Sequence, residues 1–244
     1  MQYLRVFQVA RAGFRMNALP AEPRFAADTL VAYRQWAASY PPLAHNPLMR
    51  AEETAMLECW PDVAGKRVLD LACGTGRYTR LLMEGNPSRL VAADFCEPML
   101  SQVSAPHRVL ADMRFLPFDS GAFDVLICGL AIGHAADVDA WMVEIARVLA
   151  PNGSLLYSDF HPAAARAGLP RSFKDEHNVT TIVPHRVHEL PRQRQCAAAA
   201  GLDIEVVREI RVGIDMKEPF DGSTEFYRRW HGLPLVLVVR ARKS

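Results

Sequence analysis

The sequence lacks several features that would assign it to a specialised class of protein. Its 5 cysteines are scattered and contain no CxxC pair, which argues against a disulfide framework or a structural zinc site. No apolar run reaches the roughly 18 residues that a membrane span needs. The formal net charge is only +1, and no basic patch interleaved with aromatic residues is present. We therefore expect a cytoplasmic protein with reduced thiols, without a metal, a membrane span or a nucleic-acid partner.

The 244 residues, half of them apolar, are enough for one sizeable α/β domain. From residue 67 onward, strand-like runs alternate with helix-like runs, and the pattern breaks after Pro162, where 163–185 is an apparent insertion. The predicted strands are 67–72, 89–94, 107–113, a strand after a turn within 118–133, 153–162, 203–214 and 233–242, and the predicted helices are 77–85, 97–103, 137–153 and 189–202. Such units imply parallel strands with right-handed crossovers, hence a doubly wound seven-stranded sheet with helices on both faces.

The stretch "VLDLACGTG" (68–76) runs from a buried strand into a turn of small residues that precedes a helix. A dinucleotide fold carries G-x-G-x-x-G at such a turn and seats a pyrophosphate on the helix N-terminus. Here the spacing is D-x-A-x-G-x-G, with Asp70 at the strand end. A carboxylate there repels a pyrophosphate but can accept a hydrogen bond from a ligand ammonium. The turn alone leaves its ligand open among a phosphate, a dinucleotide and a molecule without phosphate.

This stretch resembles the first motif of class I S-adenosylmethionine-dependent methyltransferases, especially the group that includes ubiquinone/menaquinone and malonyl-carrier-protein methyltransferases. The resemblance covers roughly residues 66–160, and Ala72 stands where that family usually has its first glycine. It implies a Rossmann-like α/β fold and a single methyltransferase domain over 1–244. The expected segments are an N-terminal helical lid (1–60), a cofactor-binding core (61–160), a substrate-side insertion with lid elements (161–232) and the last strand (233–244).

The resemblance also assigns roles to residues that follow the predicted strands. Asp94, 18 residues after Gly76, would take both ribose hydroxyls of S-adenosylmethionine, and Met99 would pack on the adenine. Asp112 would accept a hydrogen bond from the adenine amine, and the Met113 backbone N–H would reach the ring. The full set of predicted cofactor-binding residues is Tyr33, Tyr40, Asp70, Ala72, Cys73, Gly74, Gly76, Tyr78, Asp94, Phe95, Met99, Asp112, Met113, Gly129, Leu130 and His134.

The acceptor side is less constrained by sequence. His161, at the end of the fifth predicted strand, is the leading candidate for a general base, and His188 is the second. Arg171 and Lys174 in the insertion could bind an acidic group of the substrate. The remaining candidates are the further histidines His177 and His185 and the aromatic residues Phe220, Phe226, Tyr227 and Trp230, which could line an apolar pocket.

These observations predict methyl transfer from S-adenosylmethionine to an oxygen, nitrogen or carbon of a small molecule, by in-line displacement. Two alternatives remain open at this level: an NAD-dependent oxidoreductase, and a cofactor-binding regulatory protein without catalysis. We expect a monomer or a homodimer.

Overall fold

A computed structural model describes residues 24–25, 28–174, 179–217 and 224–244. The strands are β1 (Arg24–Phe25), β2 (Arg67–Leu71), β3 (Arg89–Asp94), β4 (His107–Leu110), β5 (Phe123–Cys128), β6 (Leu149–Phe160), β7 (Ser172–Lys174), β8 (Thr180–Ile182), β9 (Leu202–Arg211) and β10 (Pro234–Lys243). The α-helices are α1 (Thr29–Trp36), α2 (Pro47–Glu58), α3 (Arg77–Glu84), α4 (Glu97–Leu100), α5 (Val138–Val148), α6 (Pro162–Arg166), α7 (Leu190–Ala199) and α8 (Glu225–Trp230), and 3-10 turns cover Ile132–His134 and Ile214–Met216.

Seven of the strands form one sheet in the order β4-β3-β2-β5-β6-β10-β9. The neighbouring pairs from β4 to β6 are parallel, and β10 is antiparallel to both of its neighbours. The strand order therefore reverses direction at β2, between β3 on one side and β5 on the other. In open sheets of this kind, ligands bind beyond the carboxyl ends of the strands at such a switch point.

Helices cover both faces of this sheet. Because successive strand residues point to opposite faces, neighbouring residues of one strand pack against different helices. Leu69 of β2 belongs to an apolar cluster with Trp141 of α5 and Cys196 of α7. Its neighbour Val68 belongs to a second cluster that contains residues of α2 and α3, among them Leu82. The predicted doubly wound seven-stranded architecture is thus confirmed.

A small second sheet lies outside this core, in the order β1-β8-β7. Strand β8 pairs antiparallel with β7 and parallel with β1. The segment that we predicted as an insertion therefore contains α6 and a two-stranded unit, and it draws a short N-terminal strand alongside. This pairing brings Arg24–Phe25 alongside the insertion.

Several predicted elements end elsewhere than expected. The helix predicted over 137–153 ends at Val148, because Leu149 already pairs with Phe123 and begins β6. The third strand stops at Leu110, since Asp112 turns back to form an isolated bridge with Phe115. The helix predicted over 97–103 is a single turn that ends at Leu100. Among the described residues, no helix combines the length and apolar character needed to cross a membrane.

Candidate active site

A cavity of about 1160 Å³ lies beyond the carboxyl ends of β2, β3 and β5, with α1 and β7 on its other side. Pockets for single small ligands commonly measure roughly 300–1,000 Å³. This cavity is therefore somewhat larger than that range. All but one of the predicted cofactor-binding residues line it, the exception being Gly76.

The turn after β2 places backbone against the cavity through three left-handed residues, Ala72 (φ 54°), Gly74 (φ 57°) and Gly76 (φ 93°). A Cβ on Gly76 would come within 3.1 Å of Val103 Cγ1, so the turn packs closely on its neighbour there. Ala72 has a side chain in a region where a non-glycine residue costs about 1–2 kcal/mol. Strain of this kind persists where the surrounding structure holds it, often at binding sites.

Asp70 is a buried carboxyl group at the bottom of the cavity. Thr79 Oγ1 donates a hydrogen bond to Asp70 Oδ2 at 2.5 Å. Burial raises the pKa of Asp70 to about 7, and the hydrogen bond from Thr79 opposes this rise. The group is therefore poised to ionise near neutral pH, and a cation placed against it would favour the carboxylate.

Asp94, at the end of β3, joins the turn to the following helix. Its Oδ2 accepts the Gly74 N–H at 2.8 Å, and its Oδ1 accepts the Cys96 N–H at 2.7 Å. Burial raises the pKa of Asp94, and these backbone hydrogen bonds lower it. An ionised carboxylate offers about four lone-pair sites. Each oxygen can thus still accept one hydrogen bond from a ligand in the cavity.

Four further predicted residues line the part of the cavity that lies beyond β3 and β4, namely Asp112, Met113, Met99 and Phe95. Met99 is buried, whereas Phe95 is about half exposed, at 51 %. Asp112 forms an ion pair with the exposed Arg114, whose Nη2 lies 2.5 Å from Oδ2. The hydrogen bonds from Arg114 hold the pKa of Asp112 below its usual value. A ligand amine at Asp112 would share this carboxylate with Arg114.

The chain after β5 forms the middle of the cavity wall at Gly129 and Leu130. A Cβ on Gly129 would lie 2.4 Å from Tyr78 Cε2, so only glycine allows this close contact. Leu130 has a φ of 53° and donates its N–H to Ser158 Oγ at 2.9 Å. The wall is therefore held in place by the Tyr78 ring and the Ser158 hydroxyl.

A buried polar network supports this wall and was missed by sequence reasoning. Glu52 of α2 is fully buried, and its Oε2 lies 2.7 Å from Arg77 Nη2. Tyr78 donates its hydroxyl hydrogen to Glu52 Oε1 at 2.8 Å, and Ser158 also donates to Oε1. The network connects α2, α3 and β6, and through Ser158 it reaches Leu130. Nothing in the local sequence marks a helix glutamate as the partner of residues so far along the chain.

Three polar side chains meet on the other side of the cavity. The Tyr33 hydroxyl lies 3.1 Å from His134 Nε2. Arg171 Nη2 donates to the Tyr33 hydroxyl at 3.2 Å and also to the Leu130 carbonyl. Burial lowers the pKa of His134 well below its usual value, and the Arg171 charge lowers it further. Both effects favour the neutral form of the imidazole, which is suited to hydrogen bonding and is a weak base.

Aromatic rings form the apolar wall beside these polar groups. The Trp36 ring stacks on Phe173, with ring centres 4.5 Å apart and an interplanar angle of 6°. Tyr40 meets Trp36 edge-on at 4.4 Å. Burial raises the pKa of Tyr40 to about 12, so its phenol stays protonated. The sequence singles out Tyr40 as a candidate but not Trp36 or Phe173.

Comparison with known proteins places this geometry in a family. Residues 69–157 match the family model described as a methyltransferase domain. A demethylmenaquinone methyltransferase of Thermus thermophilus is 41% identical over 108 residues, which are 41% of this chain and 49% of that protein. A malonyl-[acyl-carrier protein] O-methyltransferase of Halorhodospira halophila is 34% identical over 105 residues, 40% of this chain and 36% of that protein. The chain thus spans half or less of the length of these curated relatives.

The match to the methyltransferase model is confined to residues 69–157. The fold agrees: the structure of an S-adenosylmethionine-dependent methyltransferase from Mesorhizobium loti superposes with a TM-score of 0.62 at 23% identity, covering 79% of this chain and 98% of that one. The resemblance noted in the sequence is therefore confirmed for this domain. The matched range contains β3, β5 and the carboxyl end of β2, and predicted cofactor-binding residues lie at or just after these strand ends.

The two histidines predicted as bases lie outside the cavity of the methyltransferase domain. His161 Nδ1 accepts the Ala163 N–H at the start of α6, and its Nε2 lies 3.3 Å from Glu209 Oε1. His188 Nε2 lies 3.0 Å from the Ala135 carbonyl. Both rings are engaged by neighbouring structure, and neither lines the cavity, so the geometry lends no support to a role as base.

Some of the remaining acceptor-side candidates line the cavity, and others do not. Arg171, Lys174 and Phe226 line the cavity of the methyltransferase domain. Tyr227 and Trp230 pack instead against the apolar cluster of α2 and α3. His185 lies edge-on to Phe160. His177 and Phe220 lie outside the described residues, and within the described ones no cluster of three metal-ligating side chains is found.

Proposed function

We propose that this chain is an S-adenosylmethionine-dependent methyltransferase that acts on a small molecule. The observation that carries this proposal is the convergence of three carboxylates, Asp70, Asp94 and Asp112, on one cavity. Each lies at or just after the carboxyl end of one of three neighbouring parallel strands, β2, β3 and β4. Their spacing suits a ligand with an ammonium, a diol and an amino-purine, and no phosphate.

The residues present fit this cofactor. Asp70 would hold the ammonium group, and the free acceptor sites of Asp94 would take the ribose hydroxyls. Asp112 would accept from the adenine amine, with Met99 and Met113 against the ring. Of the two predicted tyrosines, Tyr40 is the one that we assign to the carboxylate of the cofactor, whereas the Tyr33 hydroxyl is engaged by Arg171 on the acceptor side.

When bound, the cofactor supplies a methyl group on a sulfonium; the acceptor forms the new bond to carbon while the carbon–sulfur electron pair stays on sulfur. The protein contributes position, desolvation and, for a protonated acceptor, a proton acceptor. The stacked rings of Trp36 and Phe173 would shield the acceptor side from water. His134 lines this cavity, whereas His161 and His188 do not, and its neutral imidazole would serve as a hydrogen-bonding group there rather than as a strong base.

The alternatives are weaker on physical grounds. A buried carboxyl at the bottom of the turn, Asp70, opposes the pyrophosphate of a nicotinamide dinucleotide.

We also propose that the whole chain acts as one methyltransferase domain, because α1 and the segment at 169–174 line the same cavity as the strand ends.

Calorimetric titration of the purified protein with S-adenosylhomocysteine and, separately, with NADH tests this proposal. We expect saturable binding of S-adenosylhomocysteine and none of NADH. The reverse result would overturn the proposal in favour of a dehydrogenase. Binding of the cofactor without methyl transfer to any member of a broad metabolite panel would favour a regulatory protein without catalysis.

A further inference from the structure

Arg171 is a buried cation that faces the acceptor side of the cavity. It lies between α6 and β7, and its side chain is only 15% exposed. It lines the cavity together with His134, Leu130 and Phe173. Tyr33 and Trp36, the aromatic residues of α1, line the same cavity, and the Tyr33 hydroxyl contacts Arg171 directly.

The positive charge of Arg171 is poorly balanced by its neighbours. Asp159 Oδ1 is 3.5 Å from Nη1, a long contact for an ion pair. The other partners, the Tyr33 hydroxyl and the Leu130 carbonyl, are neutral. A guanidinium has five N–H groups, and contacts with the described residues use three of them. Buried charges are normally paired closely, so this arrangement is suited to an anion supplied by a ligand.

Other titratable groups around Arg171 do not provide that anion. Its guanidinium lowers the pKa of both His134 and His185, which disfavours further positive charge at this end of the cavity. Tyr40 stays protonated because burial raises its pKa to about 12. Asp159 itself has a pKa raised by burial to about 6, so it is an incomplete counter-ion near that pH. An incoming carboxylate would meet no competing anion in direct contact with the cavity side of Arg171 among the described residues.

The surroundings of Arg171 specify the rest of the ligand. Trp36 stacked on Phe173, with Leu169 and Phe160, provides apolar walls. The N–H of Nε and one N–H of Nη1 remain free, and either can donate a charge-assisted hydrogen bond to a carboxylate oxygen of a ligand. The contact between Arg171 and the Leu130 carbonyl places this charge next to the wall formed by the chain after β5.

We propose that Arg171 binds a carboxylate of the methyl acceptor, so that the acceptor is an organic acid with an apolar or aromatic body. This inference rests on the proposed function, because it assigns the second ligand of the same cavity. It makes Arg171 a specificity-determining residue and leaves the cofactor to the strand-end carboxylates.

The test measures binding of carboxylic acids to protein saturated with S-adenosylhomocysteine. Phenylacetate and octanoate are each paired with their primary amide, which has the same shape without the charge. We expect each acid to bind at least tenfold more tightly than its amide, and Arg171→Met to abolish the difference. Arg171→Lys should retain part of it, because lysine keeps the charge but loses the planar fork. The control Arg166→Met, at an exposed arginine paired with Glu189, should change nothing.

Each other outcome would overturn the inference. Equal affinity for acid and amide, or no binding of any acid while S-adenosylhomocysteine still binds, removes the carboxylate site. A loss of tenfold or more in S-adenosylhomocysteine affinity in Arg171→Met would assign Arg171 to the cofactor instead. Retained cofactor affinity in that variant also shows that it folds. If the wild type fails to bind S-adenosylhomocysteine, the proposed function fails, and the acid preference can still be measured on the ligand-free protein.

Discussion

The two halves of the cavity are built in different ways and carry opposite charge. The half that we propose for the cofactor, called the cofactor half below, consists of carboxylates at neighbouring strand ends, Asp70, Asp94 and Asp112, with one glycine-rich turn. The acceptor half joins Tyr33, His134 and Arg171, which come from three distant parts of the chain. The first half is determined by a local motif on a regular sheet. The second exists only because α1, the 3-10 turn after β5 and the insertion meet in space.

This difference matters for ligand choice. Carboxylates favour the cationic ligand that we propose for the first half, whereas an arginine among aromatic rings favours the anionic, apolar ligand proposed for the second. A domain can therefore keep its cofactor while the distant segments that recognise the acceptor vary. Substitutions in each half, and in the network between them, should then have separable effects.

The largest effect is expected at the network that ties the two halves together. Glu52→Ala removes the carboxylate that lies 2.7 Å from Arg77 Nη2 and leaves the Arg77 charge buried without it. We expect the free energy of unfolding to fall by roughly 3–5 kcal/mol, measured by urea denaturation. The matched control is Glu84→Ala, which removes an exposed pair with Arg80 and should cost less than about 0.5 kcal/mol. Equal losses in the two variants would show that the buried network is not holding the halves together.

The next effect concerns the cofactor half alone. Asp94→Ala removes the acceptor for the Gly74 and Cys96 N–H groups as well as the proposed ribose contact. Affinity for S-adenosylhomocysteine should fall at least tenfold, which is about 1.4 kcal/mol or more. The control is Glu97→Ala, an exposed acid in the first turn of α4. Unchanged affinity in Asp94→Ala would contradict the ribose assignment.

The pH dependence of cofactor binding should reflect Asp70, whose pKa is raised to about 7 in the ligand-free protein. A ligand ammonium requires the carboxylate, so affinity should rise with pH and level off above about 7. If only the ionised form binds, affinity at pH 6 is about tenfold below its plateau. Calorimetry across this range, with Asp70→Asn as the variant that should flatten the profile, measures the effect. A profile that is flat in the wild type would remove Asp70 from ammonium binding.

The same raised pKa has a consequence for stability. Because the folded-state pKa of Asp70 lies above its unfolded value, the protonated form favours folding. The contribution of Asp70 is complete below about pH 4 and is lost as the pH rises through about 7. The ligand-free protein should therefore gain more thermal stability from S-adenosylhomocysteine at high pH than at low pH.

The smallest effect is expected in the turn itself. Ala72 adopts a φ of 54°, so Ala72→Gly should relieve strain and raise the free energy of unfolding by about 1 kcal/mol. Gly74 has a φ of 57°, and no atom lies within 4 Å of the position that a Cβ would take. Gly74→Ala should therefore lower the free energy of unfolding by about 1 kcal/mol, through backbone strain alone. Thermal melting of both variants measures these changes in stability. Destabilisation by Ala72→Gly would mean that the Ala72 methyl makes packing contacts worth more than the strain.

Much of the cofactor half could be predicted from the sequence. The strand runs, the small residues of the turn and the acids after the strands are local features, and the structure places them on one cavity. The acceptor half could not be predicted in the same way. The sequence predicts that His161 faces the cleft because it follows a strand, but its ring caps α6 instead. The partners of Glu52 and the stack of Trp36 on Phe173 depend on residues that no periodic pattern relates.

The α/β class, the sheet, and the turn from Asp70 to Gly76 with its accompanying acids follow from the sequence alone. Hydrophobic periodicity and short spacings encode these features within a few residues of one another. The assembled fold was needed to show which side chains surround the acceptor, that Arg171 faces the cavity with incomplete charge balance, and that Glu52 supports the wall from behind. The reason is physical: such contacts join segments whose separation along the chain leaves no trace in local pattern, and burial and charge balance arise only when those segments pack together.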